Sequence, residues 1–312
     1  MVLTLEEKKA KLYGNHVLTI TPLNEKGEID EASTRNLVNF VIKNGVHGIL
    51  TLGSTGEVFA LTEAERKQFV EIVVDETNGR VPVGVGVNDS SSDVSALLAR
   101  HAEKMGADYI FTCPPYYHPH RAEGIYRHIK YISDSVSLPI MVYDGGAGIE
   151  LSLDLLKKMA DTIPNMACAK LFIPYPEKIA MYEKATDGKL AAWSGHDQLN
   201  YLMLLEGAKG MTSAASCILP REQTDMFNFI QEGKLDDARK IFYDKIAPIN
   251  AIAFANVLQY PQCYKLALKW MGVIESDTCK VVMEPLSSNR KRELRAVMEY
   301  IKLIDKEKSI IK

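Results

Sequence analysis

Met166-Ala-Cys-Ala-Lys-Leu-Phe172 is a run of apolar residues interrupted by one cation, Lys170. Its length suits a strand buried on both faces. An ammonium in such a strand loses hydration, so its neutral form is favoured and its pKa falls. A neutral lysine amine attacks carbonyl compounds and forms Schiff bases. The alternative is a strand-end lysine whose stem packs on apolar neighbours while its head reaches water. Taken alone, the run favours this second reading, so what surrounds it must decide.

Seven similar runs accompany it: Val17–Ile20, Gly48–Leu52, Val81–Val87, Tyr109–Cys113, Leu138–Tyr143, Leu190–Trp193 and Ala208–Thr212. Amphipathic segments lie between most of them. Leu37, Phe40 and Val41 mark one; Phe69, Ile72 and Val73 mark the next; Leu155, Leu156 and Met159 mark a later one. Spacings of three and four place these side chains on one helical face. Thr62-Glu-Ala-Glu65 reads as a capping box, and Ser152 as an N-cap. Gly45, Gly79, Gly106 and Gly207 fall where helices should stop.

Strand then helix, repeated eight times, predicts a (β/α)8 TIM barrel. No G-x-G-x-x-G follows the first strand, which argues against a doubly wound open sheet. After Pro220 only helical patterns remain, at Met226–Ile230, Leu235–Ile246, Tyr264–Met271 and Arg290–Ile304. The expected division is a catalytic barrel over 1–220 and a helical appendage over 221–312.

Of the 312 residues, 25% are charged and 46% hydrophobic, an ordinary globular composition. The net charge of −3, with Lys and Arg scattered, offers no basic block for nucleic acid or a membrane surface. Five cysteines, widely spaced and without a C-x-x-C pair, argue against a disulfide framework or a structural zinc site. The N-terminus lacks an apolar signal core, and no apolar run reaches the ~18 residues of a membrane helix. These features predict a soluble, cytoplasmic protein.

A (β/α)8 barrel places its active site at the C-terminal ends of the strands. Strand two is followed by Gly53-Ser-Thr-Gly-Glu57, a turn whose amides and hydroxyls suit a carboxylate. Strand four leads into Pro114-Pro-Tyr-Tyr117, strand five ends at Tyr143 and strand six at Lys170. Tyr143 either anchors packing with its hydroxyl in water or shuttles protons beside an imine; Tyr117 could extend that relay. His196 and Asp197, after strand seven, could bond a polar substrate tail, with a helix N-cap by Asp197 as the equal alternative. His118 and His120 lack a third ligand, so a surface loop is preferred over a metal site.

The motifs GSTGE at 53–57, PPYY at 114–117, VYD at 142–144, AK at 169–170 and SG at 194–195, with the Gly210 strand, stand in a telling order. In that order and spacing the chain resembles the dihydrodipicolinate synthase and N-acetylneuraminate lyase family over nearly its full length. The resemblance implies a Schiff-base lyase or aldolase acting on a pyruvate-type 2-oxo acid, reversibly condensed with or cleaved to an aldehyde, without metal or organic cofactor. It implies Lys170 as nucleophile, Ser54 and Thr55 on the substrate carboxylate, and Tyr143 as proton shuttle. Tyr117 would complete the relay, often in a neighbouring subunit, and Gly195 and Thr212 would line the pyruvyl pocket. It also implies a homotetramer built as a dimer of dimers.

Two positions depart from the family pattern. The synthase branch carries an arginine clamp where this chain has Gly148, so a bidentate carboxylate grip is missing. The sialic acid lyase branch carries a hydroxylated residue where this chain has Phe172, an apolar wall unable to pair with polyol hydroxyls. Asp197 and Ser213 do fall at polyol-contacting positions, and Asp144-Gly145-Gly146 is expected to open space beside Tyr143. A 2-oxo acid aldolase or dehydratase is the preferred expectation. Dihydrodipicolinate synthase proper and a non-enzymatic oxo-acid-binding paralogue are the alternatives.

Overall fold

In the computed structural model, which describes residues 4–305, eight parallel strands close into a barrel in sequential order. They are β1 (Gly14–Leu18), β2 (Gly48–Thr51), β3 (Val83–Gly86), β4 (Tyr109–Thr112), β5 (Ile140–Asp144), β6 (Met166–Leu171), β7 (Ala191–Ser194) and β8 (Gly210–Ser213). After a short first helix α1 (Leu5–Ala10), the strands alternate with α2 (Glu31–Lys43), α3 (Glu63–Thr77), α4 (Ser92–Met105), α5 (Ala122–Ser133), α6 (Leu153–Thr162), α7 (Lys178–Ala185) and α8 (Asn200–Leu205). The expected TIM barrel is therefore the observed fold. Thr62 and Glu65 form the capping box of α3, and the Ser152 hydroxyl caps α6.

Strand alternation sorts the side chains into two cores. Val17, Ile49, Ile110, Val142, Ala169 and Leu171 face outward onto the helices. Leu18, Leu50, Phe111, Met141, Cys168 and Trp193 fill the barrel interior. The first strand lies further upstream than its apolar letters indicate, because the interior admits His16. Its Nδ1 stands 2.9 Å from the Tyr109 hydroxyl, and its ring meets Trp193 edge-on at 4.9 Å. Burial holds this imidazole neutral, its pKa pushed down to about 3.

Large rings inside a narrow barrel need gaps opposite them. Added Cβ atoms at Gly48, Gly84 and Gly210 would lie 2.5 Å from His16, 2.1 Å from Tyr109 and 2.6 Å from Trp193. These strand glycines are the space the rings occupy.

After β8, α9 (Pro220–Gln231) packs on β1. Then come α10 (Leu235–Ile241), α11 (Ala247–Ala253), α12 (Tyr260–Trp270) and α13 (Ser288–Tyr300). Leu266, Leu268, Leu294 and Met298 from these last helices join the outer core of the barrel. Among the described residues no helix is long and apolar enough to cross a membrane.

Gly84→Ala should destabilise the fold by about 1–3 kcal/mol, the usual penalty for overpacking. Urea unfolding followed by tryptophan fluorescence measures it; an unchanged midpoint would show that the Tyr109 ring yields freely.

Candidate active site

Lys170 is the sixth-strand residue whose side chain points inward at the top of the barrel. It is 2% exposed. Register pairs it with Tyr143 on β5 and Trp193 on β7. Its Nζ lies 4.4 Å from the Tyr143 ring centroid and 5.0 Å from that of Phe111. Burial among these rings lowers the amine pKa to about 8, partly opposed by the Asp197 carboxylate. Gly195 makes room for it, since a Cβ there would come within 2.3 Å of the lysine Cε.

A cavity of about 670 Å³ opens above the amine. Lys170, Tyr143, Ser54, Thr55, Gly195 and Asp197 all line it. Tyr143 is half-buried, and burial pushes its phenol well above the ordinary range, with the nearby Tyr260 hydroxyl adding to the effect. It therefore stays protonated at neutral pH.

The neighbouring Asp144 faces outward, as strand alternation requires. Lys178 Nζ lies 2.9 Å from its carboxylate, the Leu151 amide donates to it at 2.7 Å, and the Tyr182 hydroxyl donates to it as well. This cluster anchors the end of β5 behind Tyr143. Gly145 and Gly146 do not open the expected space. A Cβ on Gly146 would meet the Tyr143 ring at 2.4 Å, and one on Gly145 the Phe172 carbonyl oxygen at 2.4 Å. The glycines let these groups close in.

Ser54-Thr-Gly56 forms a single tight turn between two left-handed residues, Leu52 (φ 57°) and Glu57 (φ 56°). Each such conformation costs about 1–3 kcal/mol and persists only where its surroundings impose it. At Leu52 the carbonyl accepts from the Asn88 side-chain amide after β3 at 3.3 Å; at Glu57 the constraint comes from the C-terminal region. Lys265 of α12, fully buried, pairs with the buried Glu57 carboxylate at 2.5 Å, and the Lys280 amide donates to the same carboxylate at 2.7 Å. The Thr55 hydroxyl donates to the Tyr260 hydroxyl at 3.3 Å.

Other expected residues lie outside the cavity or are engaged differently than expected. Tyr117 is 79% exposed on the loop after β4 and lies outside its own chain's cavity. Asp197 does not cap the following helix. It accepts the Ala214 and Ala215 amides after β8, together with the Ser213 hydroxyl, so Ser213 is occupied outside the cavity. Thr212 is buried without lining the cavity. His196 stacks on Phe172 with ring centroids 4.7 Å apart. Among the described residues no three His, Cys, Asp or Glu side chains gather as metal ligands would.

Sequence reading missed Tyr260, Phe254, Val257, Leu258 and Val282, all of which line the cavity from the C-terminal region. Nothing local marks them. Tyr260-Pro261 reads only as a helix start, Pro being tolerated in the first turn.

A closed barrel with a buried sixth-strand lysine beside a fifth-strand tyrosine defines a class: barrel enzymes equipped for lysine-imine chemistry. More narrowly, the chain belongs to the dihydrodipicolinate synthetase family, whose pattern matches residues 11–301. A 4-hydroxy-tetrahydrodipicolinate synthase of Thermodesulfovibrio yellowstonii is 31% identical, over 93% of this chain and 99% of that protein. The crystal structure of dihydrodipicolinate synthase from Aquifex aeolicus superposes with a TM-score of 0.89 at 30% identity, covering 94% of this chain and 99% of that one. The chloride-inhibited dihydrodipicolinate synthase of Acinetobacter baumannii, solved with pyruvate, matches at 0.88 and 28% identity, over 94% of this chain and all of that one. The chain is thus a lyase of the class I aldolase type, as its motif order led us to expect.

Lys265→Met would leave the Glu57 carboxylate buried and unpaired, and should destabilise the protein by about 3–5 kcal/mol. Adding Glu57→Gln should recover part of that loss. Urea midpoints of both variants check this; a Lys265→Met protein as stable as the parent would remove Glu57 as the anchor of the turn.

Proposed function

We propose that this chain is a pyruvate-type aldolase that works through an imine on Lys170. The observation that carries this reading is the buried amine, held near neutrality in reach of Tyr143. With a pKa of about 8, roughly one amine in ten is neutral at pH 7, against about one in three thousand for an ordinary lysine. The neutral amine attacks the C2 ketone and water leaves. The protonated imine then withdraws electrons from C3, stabilising the carbanion-like species needed to make or break the C3–C4 bond.

Ser54 and Thr55 are assigned to the 2-oxo acid carboxylate. The leading amides of a tight turn have no partner within it. Tyr143, kept protonated, gives its proton to the aldehyde oxygen during condensation and accepts it back in cleavage. The hydrogen bond between Thr55 and Tyr260 supports Tyr260, on the same chain, as the next hydroxyl of the relay. Tyr117 can serve only a second copy, which accords with a homotetramer as the proposed assembly. The barrel and the helical region 221–312 act as one catalytic unit, in a protein we place in the cytoplasm.

A second reading is the synthase reaction named for the relatives, pyruvate with aspartate semialdehyde. Their similarity favours it. Gly148 speaks against it: the position is exposed, and nothing lies within 4 Å of where a side chain would begin. Robust turnover of aspartate semialdehyde in a coupled assay would make it the better reading. A binding-only paralogue needs neither a neutral lysine nor an adjacent phenol.

Incubation with pyruvate and borohydride, followed by peptide mapping, should trap the adduct on Lys170, and Lys170→Ala should abolish trapping and turnover. Because only the neutral amine attacks, the trapping rate should rise with pH and be half-maximal near 8 instead of 10.5. An adduct on another lysine refutes the assignment. Tyr143→Phe should still be trapped while turnover falls by about 10²–10⁴; Tyr260→Phe should fall by about tenfold or more. Near-normal turnover in either removes that residue from the relay.

A further inference from the structure

We infer that the aldehyde partner of this site carries a neutral apolar body about the size of an aromatic ring, not a second carboxylate or a polyol chain. The inference rests on the imine reading above and concerns the other half of the same cavity.

Beyond Lys170 the wall is built from Phe172, Phe254, Val257, Leu258 and Val282. Two of these rings are fixed by stacking, Phe172 on His196 at 4.7 Å and Phe254 on Tyr260 at 4.9 Å. Val257, Leu258 and Val282 stand at the mouth with half or more of their surface in water. Scattered exposed apolar residues need no explanation; several around one opening mark a surface that something apolar covers. Continuity with the lysine makes substrate the occupant. A cavity of about 670 Å³ falls in the range that holds a ligand larger than pyruvate alone.

The polar inventory points the same way. Apart from Lys170, the charged side chains lining the cavity are Asp197 and Glu284, both acidic. No arginine and no second lysine lines it among the described residues. A second carboxylate would enter a site with two acids and no free cation, an arrangement that disfavours binding. A polyol would need paired donors and acceptors. Asp197 already accepts two amides and the Ser213 hydroxyl. Phe172 and Phe254 offer no hydrogen bonds, so hydroxyls against them would stay unpaired.

In the reaction, the protonated imine releases a C3 proton to solvent and becomes the enamine, whose C3 attacks the aldehyde carbon; a C–C bond forms and the protonated imine is restored. The aldehyde oxygen takes the Tyr143 proton, which solvent restores. Water then hydrolyses the imine, freeing the lysine and a 4-hydroxy-2-oxo acid with an apolar substituent at C4.

The test uses the full chain with pyruvate and three probe aldehydes: benzaldehyde, succinic semialdehyde and glyceraldehyde. Pyruvate consumption should give benzaldehyde a kcat/KM at least tenfold above both others. Leu258→Arg, which adds a cation at the mouth, should lower the benzaldehyde value at least tenfold and raise that for succinic semialdehyde. Trapping of pyruvate on Lys170 combined with a preference for succinic semialdehyde or glyceraldehyde overturns the inference and leaves the imine reading standing. Trapping with turnover of none of the three overturns it equally. Failure to trap pyruvate at Lys170 overturns the imine reading, and the inference with it.

Discussion

An amine in water at neutral pH is almost always an ammonium, and an ammonium is no nucleophile. Everything at the top of this barrel bears on that difficulty. Lys170 stands over Phe111, flanked by the ring of Tyr143, with its stem against the bare backbone of Gly195. Desolvation there lowers the energy of the neutral form relative to the charged one. The same closed interior that packs His16, Tyr109 and Trp193 at its floor keeps water away from the nitrogen. Stability and reactivity thus draw on one property, the density of side chains within an eight-stranded cylinder.

The turn after β2 shows a different economy. Two left-handed residues bracket Ser54-Thr-Gly56, and no local preference would hold them there. The Asn88 side-chain amide holds the Leu52 carbonyl, and a buried ion pair from α12 holds Glu57. Such pairs seldom add much net stability, but removing one partner leaves a charge without compensation. Glu57 and Lys265 are therefore better understood as a clamp than as a source of stability. Through it the C-terminal helices set the geometry of a turn 200 residues earlier, and through Tyr260 they place a hydroxyl on Thr55.

The apolar wall and the catalytic floor come from different parts of the chain. Strands β2, β5, β6 and β7 lead to Ser54, Thr55, Tyr143, Lys170 and Gly195, the cavity residues proposed to handle a ketone and its carboxylate. Phe254, Val257, Leu258 and Val282 come from the segments between the last helices. Segments of this kind can change composition without disturbing the barrel, as loops over a rigid scaffold generally do. That separation lets Lys170 and Tyr143 stand on the barrel beside a mouth that carries glycine, without a charged side chain, at position 148.

The sequence by itself determined the barrel, because eight short apolar runs with amphipathic segments between them admit few other arrangements. It also singled out Lys170, Tyr143, Ser54, Thr55 and Gly195, since each sits at or just past a strand end, where chain order alone assigns the face. Strand limits were legible to within a few residues; β1 began early because a buried histidine breaks the apolar pattern. Tertiary structure alone decided the remainder. It turned Asp197 and Ser213 toward each other, left Tyr117 in solvent, closed Gly146 onto Tyr143 and brought Tyr260 to Thr55. Each of these depends on contacts between residues far apart in the chain, whereas periodicity reports only which face of its own element a residue occupies.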